Sequence, residues 1–390
     1  MQTFRNIGLV MMGLFFMVRS IGQTNASKPL KIAVFAPVFL DSAFSENEYK
    51  LGRNSNLPRY MLPGLDFYNG FMLAIDSLNK EKAGVEVLFY DTKSENPSID
   101  EIIEDSAFNN VSLIIASFNN RSEIKTLADF ALEKKIPIIS ATYPNDGGIT
   151  ANPYFVMLNP TLNAHLEGIY KFTKRSFPTN NILVFRKKGF VEDIIQNSFS
   201  EQNRKTAGTQ LKLKTVELAD SFTTSEVIPY LDSNKQNIII CGTLNESFGT
   251  NLTKALGSSK TYRVVAIGMP TWDGLKDISK DIEIVYSTPY NPNRADKLSF
   301  QFTENYRLKY AGRPGDMAFK GFEIMYHFTH LLLKYGDQLI NHLSEKEFRL
   351  FNDFDIQQVT LNKTSNATDY LENKKLYFIR KADGKIKSVN

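Results

Sequence analysis

Short, continuously apolar runs alternate with amphipathic stretches along most of this chain. The run 31–37, Lys-Ile-Ala-Val-Phe-Ala-Pro, reads as a buried strand closed by proline. Residues 62–79 place Tyr68, Phe71, Met72, Ile75 and Leu78 on one face of a helix. Strands are then predicted at 85–91, 111–117, 136–140 and 154–158. Helices are predicted at 97–106, with an acidic first turn, and at 122–135, where Ile124, Leu127, Ala128 and Ala131 share a face. Strands that are apolar throughout, rather than on alternate positions, belong to a parallel sheet covered on both faces. Between the first strand and the first helix lies a polar loop, 38–61, far longer than the about 2–6 residues usual there. It leaves from the carboxyl end of a strand, where open α/β sheets bind ligands.

The alternation restarts after Pro160, with helices at 161–177, 190–203, 225–231 and 247–256 and strands at 181–185, 211–218, 237–242, 263–268 and 282–287. Pro160 and Pro178 flank the helix that begins this second set, which places a lobe boundary near 160. From Pro292 two long helical segments follow, 295–310 and 314–335, separated by Gly312-Arg-Pro-Gly315. The tail carries strand-like runs at 357–361 and 376–380, with a tight-turn signal at Asp383-Gly384.

Composition adds boundaries. The 390 residues are 42% hydrophobic and 23% charged, ordinary for a soluble globular protein with two domains. Arg5 precedes the apolar run 7–18, and Ser20-Ile-Gly22 supplies small residues ahead of Gln23, the pattern of a cleaved signal peptide over 1–22. The alternative is a retained anchor, although the run is short for a membrane span. No cysteine near this junction offers a lipoprotein anchor, so the expected destination is the periplasm or the exterior, with no membrane insertion of the mature chain. Removing Arg5 and Arg19 lowers the formal charge from +4 to +2, which provides no electrostatic basis for binding nucleic acid. The single cysteine, Cys241, lies in a β-like run and reads as a small core residue.

Several features together resemble a known family. They are Lys31-Ile-Ala-Val, Gly64-Leu-Asp-Phe-Tyr-Asn-Gly70, Asp91 and Ser117 at strand ends, Ile136-Pro-Ile-Ile-Ser140, Asn152-Pro-Tyr-Phe, Phe302-x-x-x-Tyr306 and Ala318-x-x-Gly321. Over residues 28–390 the chain resembles the type I periplasmic binding proteins, the branch of leucine/isoleucine/valine-binding proteins and receptor ligand-binding regions. The resemblance implies two Rossmann-like α/β lobes with parallel sheets, joined by three crossover hinge segments and closing on a ligand between them. It implies lobe one at 28–160 plus 288–350 and lobe two at 161–287 plus 351–390. The function implied is ABC-type uptake or sensing of an amino-acid-like ligand, without catalysis and with a membrane permease as partner. The same fold also serves as a regulatory module in the cell envelope that binds a protein such as a peptidoglycan synthase. The long loop 38–61 raises that alternative, because it could plug the cleft.

Candidate site residues follow from strand ends beside helix N-termini, where backbone N–H groups attract a carboxylate. In amino-acid-binding relatives two such segments hold the ligand's α-carboxylate, and the resemblance carries that role to Ser117, Ser140, Ala141 and Thr142. Capping is the competing role for Ser140 and Thr142. In the second lobe, Phe190 with Glu192, Asn245 with Glu246, and Trp272 offer acids for an ammonium and aromatic walls for a side chain. The expected set there is Phe190, Glu246 and Trp272. Phosphate-loop, dinucleotide and nucleophile-elbow signatures are missing, so no cofactor and no enzyme activity are expected. His327 and His330 lack a third ligand at suitable spacing, so no metal is expected.

Overall fold

The computed structural model describes residues 29–45, 48–50, 56–94, 97–275, 277–291, 293–361 and 367–389. The expected signal peptide, 1–22, lies outside them. Two α/β units, each built on a seven-stranded sheet, make up the described chain.

The first sheet begins with β1 (Leu30–Ala36). The segment after it forms a one-turn helix α1 (Leu40–Ala43) and a small hairpin, β2 (Phe44–Ser45) with β3 (Glu48–Tyr49). Then come α2 (Leu62–Lys80), β4 (Val85–Asp91), α3 (Ile99–Glu104), β5 (Val111–Ala116), α4 (Arg121–Lys134), β6 (Ile138–Ser140) and β7 (Phe155–Met157). The second unit holds α5 (Leu162–Ser176), β8 (Asn181–Arg186), α6 (Phe190–Lys205), β9 (Lys212–Glu217), α7 (Thr224–Val227), β10 (Gln236–Cys241), α8 (Glu246–Leu256), β11 (Arg263–Gly268) and β12 (Glu283–Thr288). The chain then returns to the first unit through α9 (Lys297–Tyr310) and α10 (Asp316–Tyr335). It ends with β13 (Ile356–Val359), β14 (Tyr370–Asn373), β15 (Tyr377–Ala382) and β16 (Lys385–Val389).

Strand order is β13-β14-β7-β6-β5-β1-β4 in the first sheet and β16-β15-β12-β11-β10-β8-β9 in the second. In both units the central pairs are parallel. The antiparallel pairs lie toward one edge of each sheet, β13 on β14 in the first and β15 on both β12 and β16 in the second. The parallel cores match the expected fold class, with antiparallel strands added at one edge of each sheet. The assignment of 351–390 to lobe two is corrected, because β13 and β14 complete the first sheet and only β15 and β16 join the second. Alternate residues of each central strand enter different cores, which accounts for the unbroken apolar runs. Ile32 and Val34 of β1 face the layer of α2 and α10, while Ala33 and Phe35 face that of α4. In β10, Ile239 and Cys241 pack against α8 and Ile238 and Ile240 against α5 and α6.

Close approach of α2 and α10 depends on two glycines. A Cβ on Gly70 would lie 2.0 Å from the Ala318 carbonyl oxygen, and one on Gly321 would lie 2.2 Å from that of Phe67. The glycines that close these two sequence motifs are therefore contact points between helix backbones.

Three connections join the units: 158–161, 289–296 and 374–376. Asn373 ties the first to the third, donating to the Leu158 carbonyl at 3.1 Å while accepting from the amides of Asp355 at 2.9 Å and Lys375 at 3.1 Å. Glu372, 1% exposed, accepts from the Thr161 amide at 2.6 Å.

Candidate interlobe ligand site

Both sheets reverse strand order beside their first strand, between β1 and β5 in one and between β8 and β10 in the other. Such switch points open a crevice at the carboxyl ends of the strands. Ser117 follows β5, Phe190 follows β8 and Glu246 follows β10, whereas Ser140, Ala141 and Thr142 lie at the end of β6 and Trp272 lies after β11.

In the first lobe the structure brings Ser117 and Thr142 together. Their hydroxyl oxygens lie 3.2 Å apart, and Thr142 also donates to the Phe118 carbonyl at 2.9 Å. Thr142 is half-buried, while Ser117 is buried and its amide is bound to the Phe35 carbonyl at 2.8 Å. Ala141 and Ser140 lie beneath them, both fully enclosed. The Ala141 amide is committed to the Ala116 carbonyl at 2.8 Å, so it is not a free donor. The Ser140 hydroxyl has no hydrogen-bond partner among the described residues. Arg121 turns away and donates from Nε to the Gly147 carbonyl at 2.7 Å, and Asn120 caps α4 by accepting from the Glu123 amide at 3.1 Å.

In the second lobe Phe190 opens α6 with 80% of its surface exposed, and Glu246 opens α8, also exposed. Glu192 is turned inward, 6% exposed, and accepts from the Thr243 hydroxyl at 2.5 Å. Trp272 differs from expectation. It has no exposed surface and lies in the core with Phe185, Phe248 and Leu252. Its ring covers Gly268 so closely that a Cβ there would be 1.9 Å from Cδ2. Trp272 therefore offers no aromatic wall in this conformation, because the short helix Pro270–Gly274 points the ring into the lobe.

The loop 38–61 is fastened to lobe one. Asp91, at the end of β4, accepts from the amides of Val38 at 2.9 Å, Leu40 at 2.7 Å and Lys93 at 3.0 Å. Ser94 donates to Asp41 at 3.0 Å. Phe39 takes a left-handed backbone, φ 62°, with its ring 4.9 Å from that of Tyr60. Leu40, Phe44, Tyr49, Tyr60 and Leu62 all remain exposed. Residues 46–47 and 51–55 of this loop lie outside the described residues.

Sequence reasoning missed a polar cluster at the hinge. Lys320 on α10, 7% exposed, donates to the Asn159 side-chain oxygen and to the Tyr290 hydroxyl at 3.2 Å. Asn159 passes the contact on, donating to the Thr142 carbonyl at 2.5 Å. The available signal was a lysine inside an otherwise apolar helix stretch, 317–322. Nearby, His165 on α5 meets the Ser287 hydroxyl at 2.8 Å, and burial holds its pKa at about 4.

No helix among the described residues is long and apolar enough to cross a membrane. Among the same residues no group of three or more His, Cys, Asp or Glu is placed to hold a metal ion.

No protein-family model and no curated protein matches the sequence. Solved structures do match the fold. One is a branched-chain amino acid ABC transporter periplasmic ligand-binding protein from Burkholderia xenovorans LB400. It is 14% identical with a TM-score of 0.60, covering 93% of this chain and 94% of that one. An ABC transporter substrate-binding protein from Desulfitobacterium hafniense, in complex with Leu, is 13% identical with a TM-score of 0.57. That match covers 92% of this chain and 99% of the other. A leucine-binding protein from Thermotoga maritima MSB8 is 14% identical with a TM-score of 0.51, covering 93% and 98%. At these identities the likeness establishes the fold, two α/β lobes of the type I periplasmic binding protein kind.

Proposed function

We propose that this chain is an exported, non-catalytic solute-binding protein that closes on an amino acid or a related small polar ligand for ABC-type uptake or sensing. The observation that carries the reading is the hydroxyl pair Ser117–Thr142, 3.2 Å apart at the switch-point crevice of lobe one. Lobe two offers Glu246 and Phe190 at or beside its own crevice. The hydroxyls suit a carboxylate, Glu246 an ammonium and Phe190 an apolar stem. The Desulfitobacterium protein of this fold, crystallised with Leu, supports the class of ligand. The regulatory alternative required the loop 38–61 to fill the cleft. Within it Val38 and Leu40 are tied to Asp91 of lobe one, and Phe190 stays exposed.

Titration calorimetry of the mature protein against the twenty amino acids tests the proposal. At least one should bind with micromolar or tighter affinity. Thr142→Val should weaken it by about tenfold, the worth of one hydrogen bond to a charged group. Absence of heat from every amino acid at millimolar concentration would overturn the reading.

A further inference from the structure

A groove of about 710 Å³ runs along α5 beside the third connection between the lobes. One wall is a stripe of α5 and belongs to lobe two, while Asp355 and Gln357 on the other side belong to lobe one. None of its lining residues is among those named for the interlobe crevice. Its floor is apolar. Leu376 of the connection packs on Gly168, where a Cβ would lie 2.5 Å from Cδ1, and the rings of Phe172 and Phe378 stack beyond it with centroids 4.5 Å apart. A concave site of this size, with an apolar floor and a few polar groups at its rim, suits a small molecule.

The charges at the rim are unevenly satisfied. Lys171 is paired with Glu167 at 2.5 Å, and Lys374 with the buried Glu372. Asp355 accepts from the Gln357 side-chain amide at 2.9 Å. Arg175 and Lys375 have only aromatic neighbours, Phe172 at 5.9 Å and Tyr377 at 5.1 Å from the ring centroids. Among the described residues no carboxylate oxygen comes within 4.0 Å of either cation. The two stand at opposite ends of the floor. Lys375 directly precedes Leu376, which touches Gly168, whereas Arg175 lies seven residues beyond Gly168, about 10 Å along the helix. We propose that the groove is a second binding site, for an elongated dianion. An α,ω-dicarboxylate fits this pattern, with one carboxylate on the Arg175 guanidinium, the other on Lys375, and its methylene chain over Leu376, Phe172 and Phe378. The site stands apart from the crevice and does not depend on the amino-acid-binding function proposed above.

Calorimetry of the mature protein with octanedioate tests it, beside butanedioate, too short to reach both cations, and octanoate, which carries a single carboxylate. Octanedioate should bind at least about tenfold more tightly than either, the worth of one hydrogen-bonded contact to a charged group. Arg175→Gln and Lys375→Gln should each lower its affinity by about tenfold and bring it level with octanoate. Lys260→Gln removes the same charge from an exposed position outside the groove and should leave the affinity unchanged. Absence of heat from octanedioate at millimolar concentration would overturn the proposal, as would octanoate or butanedioate binding equally well. Affinity indifferent to both groove substitutions would place the dianion elsewhere, and an equal loss in Lys260→Gln would reduce the effect to bulk charge; either result overturns the site. Should a groove variant fail to fold by circular dichroism, the comparison of the three acids on the unaltered protein still decides. The outcome is read independently of whether any amino acid binds in the crevice.

Discussion

Glu323 offers a strict test of how the hinge is held. It is 1% exposed and gathers three N–H donors, two from the backbone of Phe351 and Asn352 and one from the Asn352 side chain. Asn352 cannot turn its amide over, because its oxygen already accepts from the Asn291 amide at 2.7 Å. Asn291 completes the circuit by donating to the Phe351 carbonyl at 3.0 Å. Glu323→Gln preserves shape and lets the amide oxygen serve both backbone donors, but it sets one NH2 group against another. Stranding one buried donor in this way costs about 1–3 kcal/mol. Asn352→Asp alone sets carboxylate against carboxylate and is expected to cost at least as much. Together the two changes again face a donor with an acceptor, now with the donor on the helix and the acceptor on the hinge segment. The double variant should therefore recover about 2 kcal/mol relative to the sum of the singles. Urea midpoints followed by circular dichroism would report the cycle, with fluorescence of the single tryptophan, Trp272, marking lobe two separately. Additivity of the two changes within about 0.5 kcal/mol would refute the hydrogen-bond assignment.

Further expectations concern packing and protonation. Gly70→Ala forces a Cβ to within 2.0 Å of the Ala318 oxygen and should cost about 1–3 kcal/mol, whereas Gly84→Ala, with nothing within 4 Å, should leave the melting temperature nearly unchanged; equal melting of the two would contradict the helix contact. Burial lowers the pKa of both His165 and His327 from 6.5 to about 4. Unfolding therefore takes up protons below pH 6.5, so this stability is complete above that pH and is lost as pH falls toward 4, by roughly 3 kcal/mol for each histidine. Denaturation midpoints that stay level from pH 7 to 5 would contradict it. Burial pushes the Cys241 thiol up to about 12, so a thiol reagent at pH 8 should modify it only after denaturation, and rapid labelling of the native protein would refute its enclosure.

Most individual elements are legible in the chain because local patterns encode them. The apolar run at 111–117 became β5, the face of Tyr68, Phe71 and Ile75 became α2, and Pro314 with Gly315 does precede α10. What local pattern does not encode is partnership across distance. The run 357–361 reads as a strand in isolation and 370–373 carries no such signal, yet their pairing with each other, and that of 370–373 with β7, assigns both to the first sheet. Trp272 illustrates the same limit for the site, since a ring after a strand end can face a cleft or a core. Here the glycines at 249 and 268 leave the space that draws it inward. Ser117 and Thr142 could be singled out because strand ends carry chemistry in this fold. Lys320 could not, because its meaning depends on Asn159 and Tyr290, which are distant in sequence and join it only through the crossovers.

Closure of two lobes around an amino acid is read out by small-angle X-ray scattering of the mature protein, recorded with and without a saturating amino-acid mixture. Closure gives a smaller radius of gyration with ligand present, accompanied by a higher melting temperature. An unchanged radius together with an unchanged melting temperature would contradict it.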